Sequence, residues 1–481
     1  MKTFMKWNMP KYRGSVKKTV KYTGNVIFLI LVAGLFSCNN GAKTKLNQTQ
    51  PNQTQPNLTP PDPNRSYNLQ RSVKQNGITW TFDRDYPVGQ FYLGDWWVIG
   101  PVTIVSVSPG WDGQRNGSMI DPDASTDTQG YRAGLDVQYV DSLNVATRLP
   151  LTINPGQGSQ GVVSLISSIG RDSIERGGSH EGIRSAAVLT VVSGAPPSDA
   201  FRPAYARGDK TIYRTSQMNT NLLPGLRAPG SISEALSQYG DAFTKVYLDH
   251  ASHGGNWGAS MHPVDNGFPY GRDFSRGVSN ASLIALTSNG QEVEFARRLT
   301  QMGIDFYPMW LVNNKGVEGG GFGWGYKWTI LFAGILLNND GMMHPPLYRN
   351  GTINKFPEDR FTSYGAPTPE WPRGKPLWGT IDPEYNECPP SLVANADCND
   401  GYRICCSSFT WVGQALAARL MGAAGLWNHP AYFDYVDRWV GEPNSWLYGD
   451  TADYGAVYGF GGQFVRDMWE THRKSLGTPQ G

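Results

Sequence analysis

The sequence predicts a multidomain α+β protein in which a β domain is followed by a mostly helical domain. Apolar residues alternate with period two between Asn76 and Pro197, and they recur with the helical period beyond Ser231. The roughly 400 residues that follow the N-terminal leader exceed the usual size of a single core. We therefore place a β domain at residues 71–200 and a helical domain at residues 201–481.

The first segment, residues 1–37, has the features of a signal peptide. Lysines and arginines precede an unbroken apolar run from Val26 to Phe36, which is shorter than the about 20 residues of a spanning helix. The Leu-Phe-Ser-Cys motif that ends at Cys38 resembles the lipobox of bacterial lipoproteins, in which the cysteine is lipidated. An ordinary signal peptide followed by a chance cysteine is the alternative.

Residues 38–70 are predicted to form a disordered tether. They contain a tandem Asn-Gln-Thr-Gln-Pro repeat from Asn47 to Pro56, and such polar, proline-spaced chain buries too little apolar surface to offset its conformational entropy. By the same lipoprotein resemblance, Asn39 favours the outer membrane. The prediction is an outer-membrane lipoprotein of the cell envelope, periplasmic or surface-exposed, that contacts the membrane through its lipid anchor.

Composition favours a saccharide partner. A net charge of +2 gives no indication of nucleic acid binding. The chain has 57 Gly, 16 Trp and 23 Tyr but only 17% charged residues, a bias typical of proteins that stack aromatic side chains on sugar rings. Large β-rich exported proteins share this bias. We expect a monomer that binds a saccharide and no nucleic acid.

The cysteines other than Cys38 are predicted to form two disulfides. All four lie in one short segment of an exported chain, at Cys388, Cys398, Cys405 and Cys406, and three connectivities are possible. A metal site is the alternative, but adjacent cysteines are poor zinc-ligand spacing and no histidine lies inside the cluster.

The β domain is predicted to be an antiparallel sandwich. Ile78, Trp80 and Phe82 face one side of a strand, and short strands are separated by clusters of Gly, Pro, Asn and Asp. A second strand has the same pattern at Val102, Ile104 and Ser106. Three further β-type segments follow at Leu135–Val140, Val162–Ile169 and Ala187–Val192.

The helical domain is predicted from apolar stripes with helical spacing. Trp328–Leu337 is apolar nearly all round, so we expect this helix to be buried between others. The other stripes are Ile232, Ala235, Leu236 and Tyr239; Val412, Ala415, Leu416 and Leu420; and Tyr432, Tyr435, Val436, Trp439 and Val440.

Long glycine-rich loops interrupt the helices at residues 249–272, 313–326 and 342–406, and loops of this size usually build a site. The first contains three of the seven histidines, His250, His253 and His262. With Asp265 these imidazoles suit a divalent metal. However, their spacing is not that of helical zinc hydrolases.

β-Elimination on a uronic-acid polysaccharide is the favoured chemistry of this loop. The reaction removes the proton at carbon 5, so the neighbouring carboxylate must first be neutralised by hydrogen bonds or positive charge. A Tyr or His then acts as base and a Tyr as acid. The loop supplies these residue types as His253, Asn256, Tyr270 and Arg272, with Trp257 and His262 as substrate-binding candidates. No cofactor is required, and a metal on the three histidines is the alternative.

The second loop leads directly into the apolar helix. Its glycines let a backbone approach a ligand, and Trp324, Tyr326 and Lys327 are candidates to stack on a sugar, to protonate the leaving oxygen and to bind substrate. A phosphate-binding loop is a weak alternative, because the run follows no strand and lacks the Gly-Lys-Ser/Thr ending. A glycine-rich helix start with packed aromatic residues is the other alternative.

A set of short motifs resembles the (α/α)-toroid polysaccharide lyases that act on uronate-containing chains such as alginate or glucuronan. The resemblance covers much of residues 76–445. Its motifs are Trp80-Thr-Phe82, Gly89-Gln-Phe91, Asp95-Trp-Trp-Val98-Ile-Gly-Pro101, Tyr270-Gly-Arg-Asp273, Gly319–Lys327 and Cys405-Cys406.

The resemblance implies a ring of helical hairpins around a groove for an acidic polysaccharide, with no obligatory cofactor. By residue type, Asn256 and His253 match the group that neutralises the carboxylate, Tyr270 or Tyr326 matches the acid, and Arg272 matches a substrate clamp. About seven helical stripes are present, fewer than a complete ring of hairpins requires.

Two alternative functions share these features. A glycoside hydrolase on the same scaffold needs two facing carboxylic acids, and the unpaired candidates are Asp265, Asp273, Glu318 and Asp434. A non-catalytic surface glycan-binding lipoprotein shares the signal, the tether and the aromatic residues.

Overall fold

The computed structural model describes residues 58, 67–135, 137–171, 182–251, 262–268, 271–312, 324–346, 348–349, 352–353, 355–379, 407–441 and 462–476. All of them belong to one compact unit, Thr54–Gly481. The unit is a mixed α+β structure with an antiparallel-rich sheet in its N-terminal half and a helical C-terminal part. The predicted order of a β half before an α half is therefore confirmed. The predicted signal peptide, the five cysteines and most of the predicted tether lie outside the described residues.

Eight strands of the N-terminal half form one curled sheet in the order β5-β9-β10-β3-β2-β4-β8, with β1 paired to β2. Neighbouring strands are antiparallel except β10 and β3, which are parallel. The strands of this sheet are β1 (Asn68–Gln75), β2 (Ile78–Gln90), β3 (Trp96–Ile99), β4 (Val102–Ser108), β5 (Ser118–Ile120), β8 (Leu151–Ile153), β9 (Val162–Gly170) and β10 (Ile183–Val192). The short pairs are β6 (Thr128–Gln129) with β7 (Gln138–Tyr139), β11 (Tyr348–Arg349) with β12 (Thr352–Ile353), and β13 (Thr362–Tyr364) with β14 (Pro376–Trp378).

The sheet curls around a core of its own. Ile78, Trp80 and Phe82 are fully buried in it, as their alternation predicted. The indole N–H of Trp80 on β2 donates to the Ser167 hydroxyl on β9 at 3.0 Å, although two strands separate β2 and β9 in the sheet. A sheet can bring such distant strands together only by curving back on itself. A single curled sheet thus occupies the place of the expected two-sheet sandwich.

A bulge in β4 shifts the expected alternation of that strand. Val102 and Ile104 are buried as predicted, but Ser106 is exposed and Val107 is buried instead. Thr81 pairs with Ser106 while Phe82 pairs with Ile104, so Val105 is the extra residue of the bulge. One inserted residue exchanges the two faces of the strand beyond it.

The helical part packs against the convex side of strands β9 and β10. Ile166 and Val188 on these strands belong to the same apolar cluster as helix residues as distant as Trp469. The helices are α1 (Ile232–Tyr239), α2 (Gly271–Ala285), α3 (Glu292–Val312), α4 (Tyr326–Leu337), α5 (Asp340–Met343), α6 (Pro357–Arg360), α7 (Ser408–Leu420), α8 (Ala424–Trp427), α9 (Pro430–Gly441) and α10 (Gly462–His472). Helix α4 is buried nearly all round, as its composition predicted. No helix in these ranges has both the length and the apolar character needed to span a membrane.

A buried ion-pair triad connects the sheet region to the helices. The guanidinium of Arg202 donates to Asp95 at 2.7 Å and, through two nitrogens, to Asp305 on α3 at 2.9 and 2.5 Å. Asp95 lies just before β3, so the three side chains join two parts of the unit that are far apart in sequence. Arg202 is 1% exposed and Asp305 is fully buried, so neither charge has water to replace a lost partner.

Gly303 allows α3 and α4 to approach closely. A methyl group at this position would lie 2.4 Å from the Thr329 carbonyl oxygen and 2.4 Å from the Ala333 β-carbon. We expect Gly303→Ala to lower the free energy of unfolding by about 1–3 kcal/mol, because the helices must separate to admit the methyl group. Chemical denaturation measures this change. Gly425→Ala on α8 is the matched control, because no described atom lies within 4 Å of its added methyl. Equal unfolding energies for the two variants would contradict the close approach.

Candidate functional site

The first predicted loop begins at a buried histidine. His250 is fully buried between the rings of Tyr131 and Tyr205, with centroid distances of 5.7 and 5.9 Å. Neither ring nitrogen has a hydrogen-bond partner among the described residues. Burial lowers the pKa of His250 to about 4, although Asp123 opposes the shift. The imidazole is therefore neutral at pH 7.

The described C-terminal part of the same loop resumes at His262, which stacks on Tyr247. Their ring centroids lie 3.5 Å apart with an interplanar angle of 21°. His262 is 2% exposed, and neither of its nitrogens has a partner among the described residues. Burial holds the pKa of His262 well below its ordinary value. This ring too is a neutral imidazole with unused hydrogen-bonding capacity.

The second predicted loop ends against the ring of Tyr247. Tyr326, the first residue of α4, stacks on Phe306 with centroids 4.1 Å apart and lies edge-on to Tyr247 at 6.4 Å. The side chain is 9% exposed, and its buried hydroxyl has no hydrogen-bond partner in the described ranges. Such a hydroxyl costs free energy unless a further group satisfies it.

The starts of the two helices that follow these loops are in contact. A β-carbon on Gly325 would lie 3.4 Å from the Cα of Ser275 on α2. Gly325 has φ of 91°, a backbone conformation that glycine adopts without strain. Arg272, in the first turn of α2, is 7% exposed and donates from Nε to Asp273 at 3.0 Å. The described ends of both loops therefore meet around Tyr247.

Other predicted site residues lie outside the described residues. These are His253, Asn256, Trp257, Tyr270 and the candidate hydrolase carboxylate Glu318. Their predicted roles stay predictions. Tyr247, in contrast, carries no sequence signal that marks it as a site residue. It lies in the segment before the loop without helical or strand periodicity, and only its contacts with His262 and Tyr326 mark it.

Trp324 and Lys327 lie inside the protein. The Trp324 ring packs against Phe361 and Trp411, with centroids 5.0 and 4.9 Å away. Lys327 Nζ donates to the Asp359 carboxylate and to the Trp427 carbonyl oxygen, each at 2.5 Å. Burial lowers the pKa of Lys327, and Asp359 opposes that shift. These contacts anchor the first turn of α4, on which Tyr326 stands.

Glu358 contacts the backbone at the start of α4. Its Oε1 accepts a hydrogen bond from the Gly325 N–H, while Oε2 is buried without a partner among the described residues. Burial raises the pKa of Glu358 to about 7, although the Gly325 hydrogen bond opposes the shift. The carboxyl group is thus partly protonated at neutral pH.

This carboxyl makes the stability of the protein depend on pH. The folded state binds more protons than the unfolded state between the ordinary pKa of 4.5 and about 7, so stability decreases as the pH rises through this window. We expect the parent protein to lose roughly 3 kcal/mol of unfolding free energy relative to Glu358→Gln when the pH rises from 4.5 to 8, because the Gln side chain does not titrate. Urea denaturation at several pH values measures it. Parallel curves for the two proteins would exclude a raised pKa at Glu358.

The candidate carboxylates of a hydrolase have partners of their own. Asp265 forms a half-exposed ion pair with Arg184 at 3.0 Å, and Asp273 pairs with Arg272. Asp434 accepts from the Tyr364 hydroxyl at 2.5 Å. These contacts give no sign of a facing pair of carboxylic acids.

Across the part of the chain that is described, no group of three or more His, Cys, Asp or Glu side chains is arranged to hold a metal ion. His250 and His262 point into different aromatic neighbourhoods, around Tyr205 and Tyr247 respectively. His253, the remaining imidazole of the alternative metal set, lies outside the described residues.

Comparisons with known proteins leave the family open. No protein family matches the chain, no curated protein matches it, and no solved structure matches it.

Proposed function

We propose that the protein is a lipid-anchored polysaccharide lyase of the outer membrane that cleaves a uronate-containing polysaccharide by β-elimination. One observation carries the proposal: Tyr326 and His262, from two loops far apart in sequence, both contact Tyr247. Each brings hydrogen-bonding atoms that no described residue uses. In this proposal a curled β domain supports a toroid-like set of helical hairpins, with the substrate groove where the two loops meet.

The reaction needs three groups at the substrate. A base removes the proton from carbon 5, the released electron pair forms the double bond between carbons 4 and 5, and the bond from carbon 4 to the glycosidic oxygen breaks. The oxygen takes a proton from an acid. Positive charge or hydrogen bonds at the carboxylate stabilise the developing anion.

The residues are proposed to divide these tasks as follows. Tyr326 donates the proton to the leaving oxygen, and Tyr270 is the base that takes the proton from carbon 5, with the exchange of these two roles as the alternative. His253 and Asn256 neutralise the carboxylate. Arg272 holds the substrate carboxylate from the first turn of α2. Neutral His262 binds the sugar, because its ring nitrogens can donate or accept without adding charge.

The remaining predicted residues are Lys327 and Trp324, which lie in the interior, and Trp257, which lies in the undescribed loop. Lys327 and Trp324 hold the first turn of α4 through Asp359 and Trp411, which positions Tyr326. Trp257 is proposed to stack on a sugar ring. No cofactor is needed for these steps, and the anchored monomer meets its substrate in the envelope.

Product analysis on alginate, glucuronan and a neutral glucan tests the proposal. A lyase makes new reducing ends together with an unsaturated uronate that absorbs in the ultraviolet. Reducing ends without that absorbance would establish the glycoside hydrolase instead. Binding of either uronate polymer with neither product would establish the glycan-binding lipoprotein. Cleavage of the neutral glucan would contradict a mechanism that depends on the carboxylate.

A further inference from the structure

A cleft opens on the helical part between α9, α10 and the hairpin of β13 and β14. It has a volume of about 710 Å³, which lies within the roughly 300–1,000 Å³ of small-ligand sites. No described residue of the proposed lyase centre lines it, whereas Asp434, a candidate carboxylate of the alternative hydrolase, does. Its aromatic lining is Tyr364, Trp371 and Trp469, and its charged lining is Arg373, Asp434, Asp437 and Arg473.

The apolar part of the cleft consists of Trp371, on a turn closed by backbone hydrogen bonds, and Trp469. Trp371 is half-buried, and its backbone N–H donates to the Thr368 carbonyl oxygen at 3.1 Å. The Gly374 N–H donates back to the Trp371 carbonyl oxygen at 2.8 Å. Trp469 is 7% exposed beneath Arg473, whose guanidinium carbon lies 5.8 Å from the ring centroid. The turn that carries Trp371 therefore needs little backbone ordering when a ligand binds.

The polar part presents one carboxylate with spare capacity. Asp434 Oδ2 accepts from the Tyr364 hydroxyl at 2.5 Å and from Arg373 Nη2 at 3.3 Å. No described hydrogen bond reaches Oδ1, and about a fifth of the side chain is exposed, at 20%. The Arg373 side chain is 53% exposed, so its other N–H groups are accessible to a ligand.

The second carboxylate of the cleft is already satisfied. Asp437 accepts from both Arg419 and Arg473, with four hydrogen bonds of 2.7 to 3.0 Å. The lining therefore carries two arginines, Arg373 and Arg473, against two aspartates, Asp434 and Asp437. A balanced lining attracts no strongly charged ligand of either sign.

An uncharged sugar matches these features. A pyranose ring has an apolar face that stacks on indole, and its equatorial hydroxyls donate to a carboxylate and accept from a guanidinium. A fatty chain would offer no hydrogen bond to Asp434 Oδ1 or to the remaining N–H groups of Arg373, and a uronate would place a negative charge beside Asp434.

We propose that this cleft is a binding site for an uncharged saccharide, stacked on Trp371 and hydrogen-bonded to Asp434 and Arg373. The site is separate from the proposed lyase centre and does not rest on it. It would hold the protein on neutral stretches or neighbouring neutral glycans of a mixed polysaccharide while the other site acts on uronates.

Isothermal titration of the purified protein with cellohexaose, mannohexaose, xylohexaose and an oligomannuronate of the same length tests this. We expect at least one neutral hexasaccharide to bind saturably and better than the oligomannuronate. Trp371→Ala should weaken that binding by about tenfold, which corresponds to roughly 1.4 kcal/mol. Asp434→Asn should weaken it severalfold without loss of folding, because the amide keeps an acceptor toward Tyr364.

Trp111→Ala is the matched control, because Trp111 stacks on Tyr139 in the β half, with ring centroids 5.5 Å apart. Unchanged binding in this variant supports the cleft, whereas an equal loss overturns it. The proposal is also overturned if no neutral hexasaccharide binds, or if binding survives Trp371→Ala with the parent affinity. Tyr326→Phe should bind the neutral sugar as the parent does, so failure of the lyase proposal leaves this test intact.

Discussion

Tyr326→Phe is expected to lower the turnover number on a uronate polysaccharide by roughly 10²- to 10⁴-fold, the usual contribution of a proton-transferring side chain. The free energy of unfolding should stay the same or rise slightly. The ring keeps its stacking on Phe306, and the variant removes a buried hydroxyl that has no partner in the described ranges. Steady-state kinetics together with urea denaturation measure the two quantities.

Tyr432→Phe is the matched control for this variant. The Tyr432 hydroxyl donates to the Trp411 carbonyl oxygen at 3.2 Å, and the ring is fully buried. Its removal should cost about 1 kcal/mol of stability and leave turnover unchanged. An active Tyr326→Phe protein would remove Tyr326 from the mechanism, and a destabilised one would show that its hydroxyl has a structural partner.

Arg202→Met is expected to lower the free energy of unfolding by about 3–5 kcal/mol, the cost of leaving buried charges without their partner. Asp95 and Asp305 would both lose the guanidinium that now donates to them at 2.5 to 2.9 Å. Because these contacts join the sheet region to α3, the loss should destabilise the whole unit. Chemical denaturation followed by circular dichroism measures the change.

Arg184→Met removes the same kind of charge at the surface and should cost less than about 1 kcal/mol. Its partner Asp265 is half-exposed, at 49%, so water replaces the lost contact. Replacing Arg202, Asp95 and Asp305 together with apolar residues should recover much of the stability, because no buried charge is then left alone. Equal effects of Arg202→Met and Arg184→Met would mean that the triad contributes little.

Local periodicity was sufficient to predict the two halves of the protein and several buried faces. The alternation of Ile78, Trp80 and Phe82 places them in the core of the sheet, and the apolar sequence of α4 buries it between neighbours. The same reasoning misassigned Ser106, because the bulge at Val105 depends on pairing with β2. A strand's own residues do not specify which partner will shift its register.

The candidate site was only partly accessible from sequence. Clustered histidines and glycines identified the two loops, but the residue types alone did not show that His262 and Tyr326 share Tyr247 as a neighbour. They also suggested ligand contact for Trp324 and Lys327, which the fold places in the interior. Interior ion pairs such as Lys327 with Asp359 join residues far apart in sequence, so no local pattern reveals them.

By itself the sequence determined the order of a β half and an α half and the buried character of α4, because each follows from spacing within a short segment. Only the tertiary structure decided that the strands form one curled sheet, that Arg202 joins Asp95 to Asp305, and that both loops end at one aromatic ring. Those features depend on packing between segments that are distant along the chain, and such packing leaves no periodic signal in either segment.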